Sequence, residues 1–311
     1  MKKNKNKRGK LLWAFNPFQD SPAVLKNAHS ALLRLSEQAA MTPEPVYVVS
    51  PSEVNVVLEF SIPAKERYRT VAMSQARKVL AELKDPTLQP VILLEKSLSL
   101  TASAKALADY AETQGAEAIL ASVRAKKSLS QSLLGSFAET ILHQARCPVI
   151  LLNPAQKMGS TPRRLLYVSD LSPSSLEVFA DFCAWASALS ASVHLFHSIP
   201  RPFSWASFAI DSLLGPDRLP EKQYLLQTRE LRESDLKLFA AVAKRLGVAF
   251  SSTIALGGED IASESLKEAR KQKVDLIGMA GKSGRLKTRL LGSISRSILG
   301  RVKTPIWIQH T

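Results

Sequence analysis

The chain has 311 residues, of which 45% are apolar and 22% charged, and its formal net charge is +15. That length suits two domains of about 150 residues, each able to bury roughly two-thirds of its unfolded surface without a metal or disulfide staple. The composition excludes a long disordered chain, and no apolar run approaches the roughly 18 residues that span a bilayer.

Residues 1–9 form a basic stretch read as a disordered tail. The apolar run after it, LLWAF, stops at Asn16 and Pro17, too short for the core of a cleaved signal, so a cytoplasmic protein is expected. In the first half, apolar runs at 11–15, 46–50, 91–95, 117–123 and 149–152 alternate with amphipathic stretches at 22–40, 64–84, 101–114 and 135–145. In the second half, runs at 165–169, 192–199, 248–256, 274–280 and 305–309 alternate with stretches at 173–190, 222–246, 260–272 and 292–301. The runs are rich in Val, Ile and Leu without strict alternation, as strands buried on both faces are. Strands alternating with helices predict right-handed βαβ units and a parallel, doubly wound sheet in each half.

A linker with clustered Pro, Gly, Ser and Thr falls near 153–163, giving expected domains at 10–153 and 163–311. Residues 200–221 make a long connection carrying Phe203, Trp205, Phe208, Leu213 and Leu214, with prolines that prevent one long helix. Such a segment either flaps over a crevice or packs on its own domain.

The two halves are copies. Leu133, Leu134, Gly135, Ser136, Ile141, Leu142 and Pro148 recur as Leu290, Leu291, Gly292, Ser293, Ile298, Leu299 and Pro305, all at an offset of 157. LLWAF (11–15) and LLYVS (165–169) recur at an offset of 154. Similar offsets at both ends imply duplication of a whole domain.

The second half resembles the universal stress protein family in order: LLYVSDLS (165–172), SVHLFHSI (192–199), the segment 257–285, then LLGSISRSIL and TPIWI. The first half resembles it chiefly through LLGSFAETILHQARCPVILL. The chain is thereby identified as a tandem member. The resemblance implies an α/β fold of two tandem doubly wound parallel five-stranded sheets, of the adenine-nucleotide alpha-hydrolase-like kind, with strand order 3-2-1-4-5. It implies a ligand at the switch point, beyond the carboxyl ends of the first and fourth strands. Nucleotide-binding members carry G-x2-G-x9-G-[ST] there, because glycines bring backbone amides close to phosphate and the closing Gly-Ser opens a helix whose amide end attracts anions.

Neither half matches fully. In the second, Gly281 and Gly284 supply G-x2-G, but seven residues separate Gly284 from Gly292. In the first, the spacing survives on Ser122, Ala125, Gly135 and Ser136. Asp170 follows the second domain's first strand, where the family places an acidic residue near adenosine; the first domain offers Asn16 and Pro17. The candidate nucleotide site is therefore Asp170, Gly281, Lys282, Gly284, Gly292, Ser293 and Ser295, with Asn16, Ser122, Ala125, Gly135 and Ser136 its degenerate counterpart. Each has a plainer reading as a turn, a helix cap or a solvated loop cation, Lys282, Arg285, Lys287 and Arg289 included.

Other motifs fail. Gly281-Lys282-Ser283 follows a strand as a P-loop does, but position 276 is Leu where that loop needs glycine. His194 and His197 stand an odd number apart in a strand and so face opposite sides, which argues against a metal site. Cys147 and Cys183 fit no metal or CxxC spacing and read as buried thiols. Glu259 and Asp260 sit where a helix dipole favours acids.

Basic residues are spread over both halves, with 21 Lys/Arg against 13 Asp/Glu in 1–157 and 21 against 14 in 158–311. The leading expectation is a stress-response protein that binds an adenine nucleotide, ATP with Mg, in the second domain. It requires no cofactor, and no base that could activate water stands out. The apolar last strands, 149–153 and 305–309, are expected to pair the two domains as an intramolecular pseudo-dimer. The alternatives are a protein-interaction module that binds no nucleotide, and a basic nucleic-acid-binding protein whose affinity falls steeply with salt.

Overall fold

The computed structural model describes residues 9–49, 62–95, 97, 99–123, 136–153, 160–201, 221–258, 260–281 and 293–310. The tail, the 202–220 connection, and the loop residues Ala125, Gly135, Lys282, Gly284 and Gly292 lie outside them. The strands are β1 (Lys10–Ala14), β2 (Thr42–Val49), β3 (Val91–Leu94), β4 (Ala116–Ser122), β5 (Val149–Leu152), β6 (Arg164–Val168), β7 (Ser192–Pro200), β8 (Phe250–Gly258), β9 (Leu276–Gly281) and β10 (Ile306–His310). The helices are α1 (Pro22–Gln38), α2 (Ile62–Glu82), α3 (Leu100–Thr113), α4 (Ser136–Gln144), α5 (Pro173–Ala188), α6 (Glu221–Arg245), α7 (Ile261–Lys271) and α8 (Ser293–Arg301). No helix among the described residues is long and apolar enough to cross a membrane.

The described residues divide into two compact units. The first holds those up to Pro162 together with Gly281 and Leu299–His310, and the second holds those in Arg163–Ala280 with Ser293–Ile298. The first unit's sheet runs β3-β2-β1-β4-β5-β10, which contains the expected order 3-2-1-4-5. Its first five strands pair in parallel, and β10 joins β5 antiparallel, with Ile306 opposite Leu151, Trp307 opposite Ile150 and Ile308 opposite Val149. In the second unit the order is β8-β7-β6-β9, all parallel.

Central strands are continuous apolar runs because helices cover both faces. Leu11, Leu12, Ala118, Ile119 and Leu120 are fully buried, as are Leu165, Leu166 and Tyr167. β2 begins at Thr42, four residues before its apolar run, although Pro43 and Pro45 lie in it. The pairing explains the tolerance: β3 meets β2 only at Val46–Val49, so the prolines fall where β2 has one neighbour and owe no donor to a second.

Both units start their first helix in the same way. Ser21 caps α1 by accepting from the Val24 amide, Ser172 caps α5 by accepting from the Ser175 amide, and each is followed by proline at the first helical position. Leu25, Ala28, Leu32 and Leu35 then form the buried stripe of α1. Both helices end on a left-handed residue, Ala40 with φ 53° and Ser190 with φ 53°. The next amides, of Met41 and Ala191, close back onto the Ser36 and Ala186 carbonyls, the hydrogen-bond closure of a Schellman turn.

Candidate functional site

In the first domain β1 lies between β2 and β4, so the chain leaves β1 at the point where the winding reverses. An open crevice of about 210 Å3 occupies that place. Ala14, Phe15 and Asn16 from the end of β1 and Ala121 and Ser122 from the end of β4 line it. Leu100 and Leu107 of α3 close one side.

Asn16 has a defined structural task there. Its Oδ1 accepts from the amides of Phe18 (3.0 Å) and Gln19 (3.1 Å), and its own amide donates to Asp20 Oδ2 (2.8 Å). This Asx-type turn carries the chain from β1 into the Ser21 cap of α1. Asn16 and Ser122 are thus brought together around one crevice, and Ser136 opens α4 beside the same switch point.

In the second domain β6 lies between β7 and β9, with Val168 opposite Met279, so Asp170 stands just beyond the equivalent switch point. Its Oδ1 accepts from the Ser172 amide (3.0 Å) and the Ser172 hydroxyl (2.6 Å). Asp170 therefore orients the cap of α5 across the left-handed Leu171 (φ 60°), and Ser169 Oγ accepts the Leu171 amide (2.9 Å). Below this turn Ser169 and Ser175 share a hydroxyl contact of 2.8 Å, and the Tyr167 hydroxyl donates to the Ser175 carbonyl.

Gly281 ends β9, with φ outside the left-handed region. A Cβ there would lie 2.5 Å from Cε1 of His310, so close packing against an imidazole is reason enough for glycine. Ser293 opens α8, and Ser295, two residues into that helix, is buried.

The sequence reading placed His194 and His197 on opposite faces, and they are. His194 Nδ1 meets Ser251 Oγ at 2.8 Å, and its Nε2 lies 3.1 Å from Glu268 Oε1. His197 Nδ1 donates to the Ser169 carbonyl (2.8 Å), which fixes its tautomer. Burial lowers both imidazole pKa values, and for His194 it outweighs the neighbouring carboxylate. No group of three or more His, Cys, Asp or Glu among the described residues could hold a metal ion. Burial pushes the thiols of Cys183 to about 12 and Cys147 to about 11, leaving both protonated and weakly nucleophilic. Asp260 caps α7 through the Ala262 amide, as its place at a helix start implied.

Sequence reasoning missed Ser198. Its residue is 5% exposed, and its hydroxyl has no hydrogen-bond partner. Counted from the strand starts, where Lys10 meets Thr42 and Arg164 meets Ser192, Ser198 occupies in β7 the place of Val48 in β2. Val48 lines the first-domain crevice. The only signal was a polar residue at an inward position of an apolar strand.

The model of the universal stress protein family matches residues 24–153 and again 161–310. No curated protein matches the chain significantly. The fold is shared with a universal stress protein from Archaeoglobus fulgidus DSM 4304, with TM-score 0.62 and 14% identity over 97% of this chain and 98% of that one. It is also shared with a functionally unknown protein from Pseudomonas aeruginosa PAO1, with TM-score 0.58 and 13% identity over 97% and 92%. A third likeness is to a putative universal stress protein from Pseudomonas aeruginosa UCBPP-PA14, with TM-score 0.56 and 12% identity over 98% and 94%.

Proposed function

We propose, from the fact that this chain belongs to the universal stress protein family, that it is a stress-response protein of the cytoplasm, non-catalytic or at most slowly hydrolysing, that binds an adenine nucleotide in its second domain. The observation that carries this reading is the buried hydroxyl of Ser198 near the carboxyl end of β7, without a partner. A buried hydroxyl left unpaired costs about 1–3 kcal/mol, a cost that a ligand's polar group placed against it would recover. Ser198 stands one strand from Asp170, beside the switch point.

The site then comprises Asp170, Gly281, Lys282, Gly284, Gly292, Ser293 and Ser295. Asp170 and Ser198 would face the nucleoside. Lys282, Arg285, Lys287 and Arg289 supply cations to the phosphates, and α8 offers its amide end. Mg would arrive on the triphosphate, since the described residues offer no ligand cluster of their own.

Calorimetry with ATP on the whole chain tests this, alongside a Gly292→Trp variant. Micromolar binding lost in the variant supports the reading. No heat in millimolar ATP overturns it and favours a protein-interaction module instead.

A further inference from the structure

The two domains tie one strand to one helix at the same place, with different chemistry. Glu44 of β2 and His194 of β7 each stand two residues after the strand start, where Lys10 meets Thr42 and Arg164 meets Ser192. Tyr110 of α3 and Glu268 of α7 each stand four residues before the glutamine that ends the helix, Gln114 and Gln272. In the first domain Glu44 accepts from Tyr110 (2.8 Å) and pairs with Lys10 (2.6 Å), which is enough to join strand and helix. β3 pairs with no residue of β2 before Val46, so it brings nothing beside Glu44.

The second domain adds a third group. β8 reaches the start of β7 and sets Ser251 opposite His194. Ser251 is exposed, whereas His194 and Glu268 are buried. Ser251 Oγ lies 2.8 Å from His194 Nδ1, and Glu268 Oε1 lies 3.1 Å from Nε2. An accessible hydroxyl, an imidazole and a carboxylate thus stand each within reach of the next, the arrangement that activates a serine. Gln272 donates to Glu268 Oε1 (2.8 Å) and Lys271 Nζ lies 3.5 Å from Oε2, so the carboxylate is held in place and ionised. Its charge favours the proton on Nε2, which leaves the Nδ1 lone pair toward Ser251. Burial keeps the imidazole neutral near neutral pH and free to accept a proton. Among the described residues β8 is the outer strand of this unit's sheet. Val193 donates to the Ala249 carbonyl, so the parallel ladder turns the Ser252 amide away from β7. That amide, next to Ser251, can receive the oxygen of a carbonyl under attack.

We propose that Ser251 is a covalent modification site that takes up the acyl group of an activated ester, with His194 as its base and Glu268 positioning that base. Ser251 Oγ bonds to the acyl carbon while its proton passes to His194 Nδ1. The bond from the acyl carbon to the leaving oxygen then breaks, and the imidazolium returns the proton to that oxygen. The products are an acylated Ser251 and an alcohol. The site lies at the amino-terminal ends of β7 and β8, away from the end assigned to nucleotide, so the proposal is independent of that reading.

The test is labelling of the whole chain with p-nitrophenyl acetate, followed by peptide mapping by mass spectrometry. One acetyl group is expected on Ser251, and none there in Ser251→Ala. His194→Asn is expected to slow the labelling about a hundredfold. Glu268 and Lys271 of α7 are the charged groups that face His194, and β8 contributes the uncharged Ser251. The rate should therefore rise with pH and level off once His194 is neutral, with a midpoint below its usual 6.5. Glu268→Gln, which removes the charge that favours the imidazolium, should move that midpoint lower still, an effect that a purely structural carboxylate would not have. Circular dichroism and the unfolding midpoint establish that the buried variants are folded, and Ser251→Ala with the parent's pH profile stands as the test if they are not. Acetyl groups on lysines with none on Ser251, an unchanged rate in folded His194→Asn, or a rate that keeps rising with hydroxide overturns the proposal.

Discussion

Gly278 of β9 lies against the ring of Phe182 on α5: a Cβ placed on Gly278 would stand 2.3 Å from Phe182 Cε2. The ring cannot withdraw, because Phe182 is fully buried and packs 5.3 Å from Tyr167, itself fully buried. Gly278→Ala is therefore an overpacking mutation, expected to cost about 1–3 kcal/mol. A urea titration reads this as a lower midpoint. An unchanged midpoint would show that helix and strand are not in contact at this spot.

The helix ends make the opposite prediction. Ala40 and Ser190 hold φ of 53°, a conformation that penalises a side chain by about 1–2 kcal/mol and costs glycine nothing sterically. Both are exposed, so no packing is lost on replacement. Ala40→Gly and Ser190→Gly are each expected to raise the thermal midpoint, although extra freedom in the unfolded chain offsets part of the gain. A fall in both midpoints would mean that these closures are not left-handed in solution.

Acid should destabilise the fold in two stages. His194 and His197 have folded pKa values below their usual 6.5, so the unfolded chain binds protons more readily in that range. Their contribution to stability is complete above about pH 6.5 and declines as pH falls below it. Glu268 has a folded pKa below its usual 4.5, because hydrogen bonds from Gln272 and the charge of Lys271 outweigh burial. Its contribution holds above about pH 4.5 and disappears as pH falls through the lower folded value. Denaturation midpoints between about pH 7.5 and pH 5 should slope downward toward acid, and more shallowly in a His194→Asn, His197→Asn double variant. A double variant with the parent's slope would remove the histidines from the account.

The strands and helices were legible because their signals are periodic and local. β1, β4, β5 and β6 lie within two residues of the apolar runs that announced them, and the repeat marked both copies. The start of β2 was not legible: two prolines argue against a strand until the short reach of β3 is known. Asp170 and Asn16 were found by position, but their local roles depend on which amides the turn brings to them. The glycine pattern pointed to Gly281, but not to the close approach there of the imidazole of His310, 29 positions later in the chain. The resemblance implied the place of the crevice in the degenerate half, where Asn16 and Ser122 line it, but its apolar walls were not legible. Its walls come from residues scattered between Ala14 and Ala138, and no spacing rule links them.

Ser198→Ala separates stability from binding. The substitution removes a buried hydroxyl that has no partner and leaves the strand backbone untouched. Without nucleotide the variant should be as stable as the parent or more stable, since the hydroxyl's desolvation cost disappears. With ATP it should bind several-fold more weakly and show a smaller ligand-induced rise in midpoint. A purely structural serine would give the reverse pattern, with lower stability and unchanged affinity.

β10 bears on the first unit through one side chain above all. Trp307 is fully buried and sits opposite Ile150, so it anchors the antiparallel pairing that covers β5. Without β10, β5 would be the edge of that sheet, with four consecutive buried apolar residues along it. Trp307→Ala should cost about 3–5 kcal/mol, as deletion of a large buried ring does. The loss should also be local. Amide exchange at Val149–Leu152 should accelerate while Leu11–Ala14, two strands inward, stays protected. A tendency to aggregate should accompany it, because an uncovered apolar edge recruits other chains. Uniform acceleration across the sheet would instead mean that Trp307 supports the whole core and has no special hold on the β5 edge.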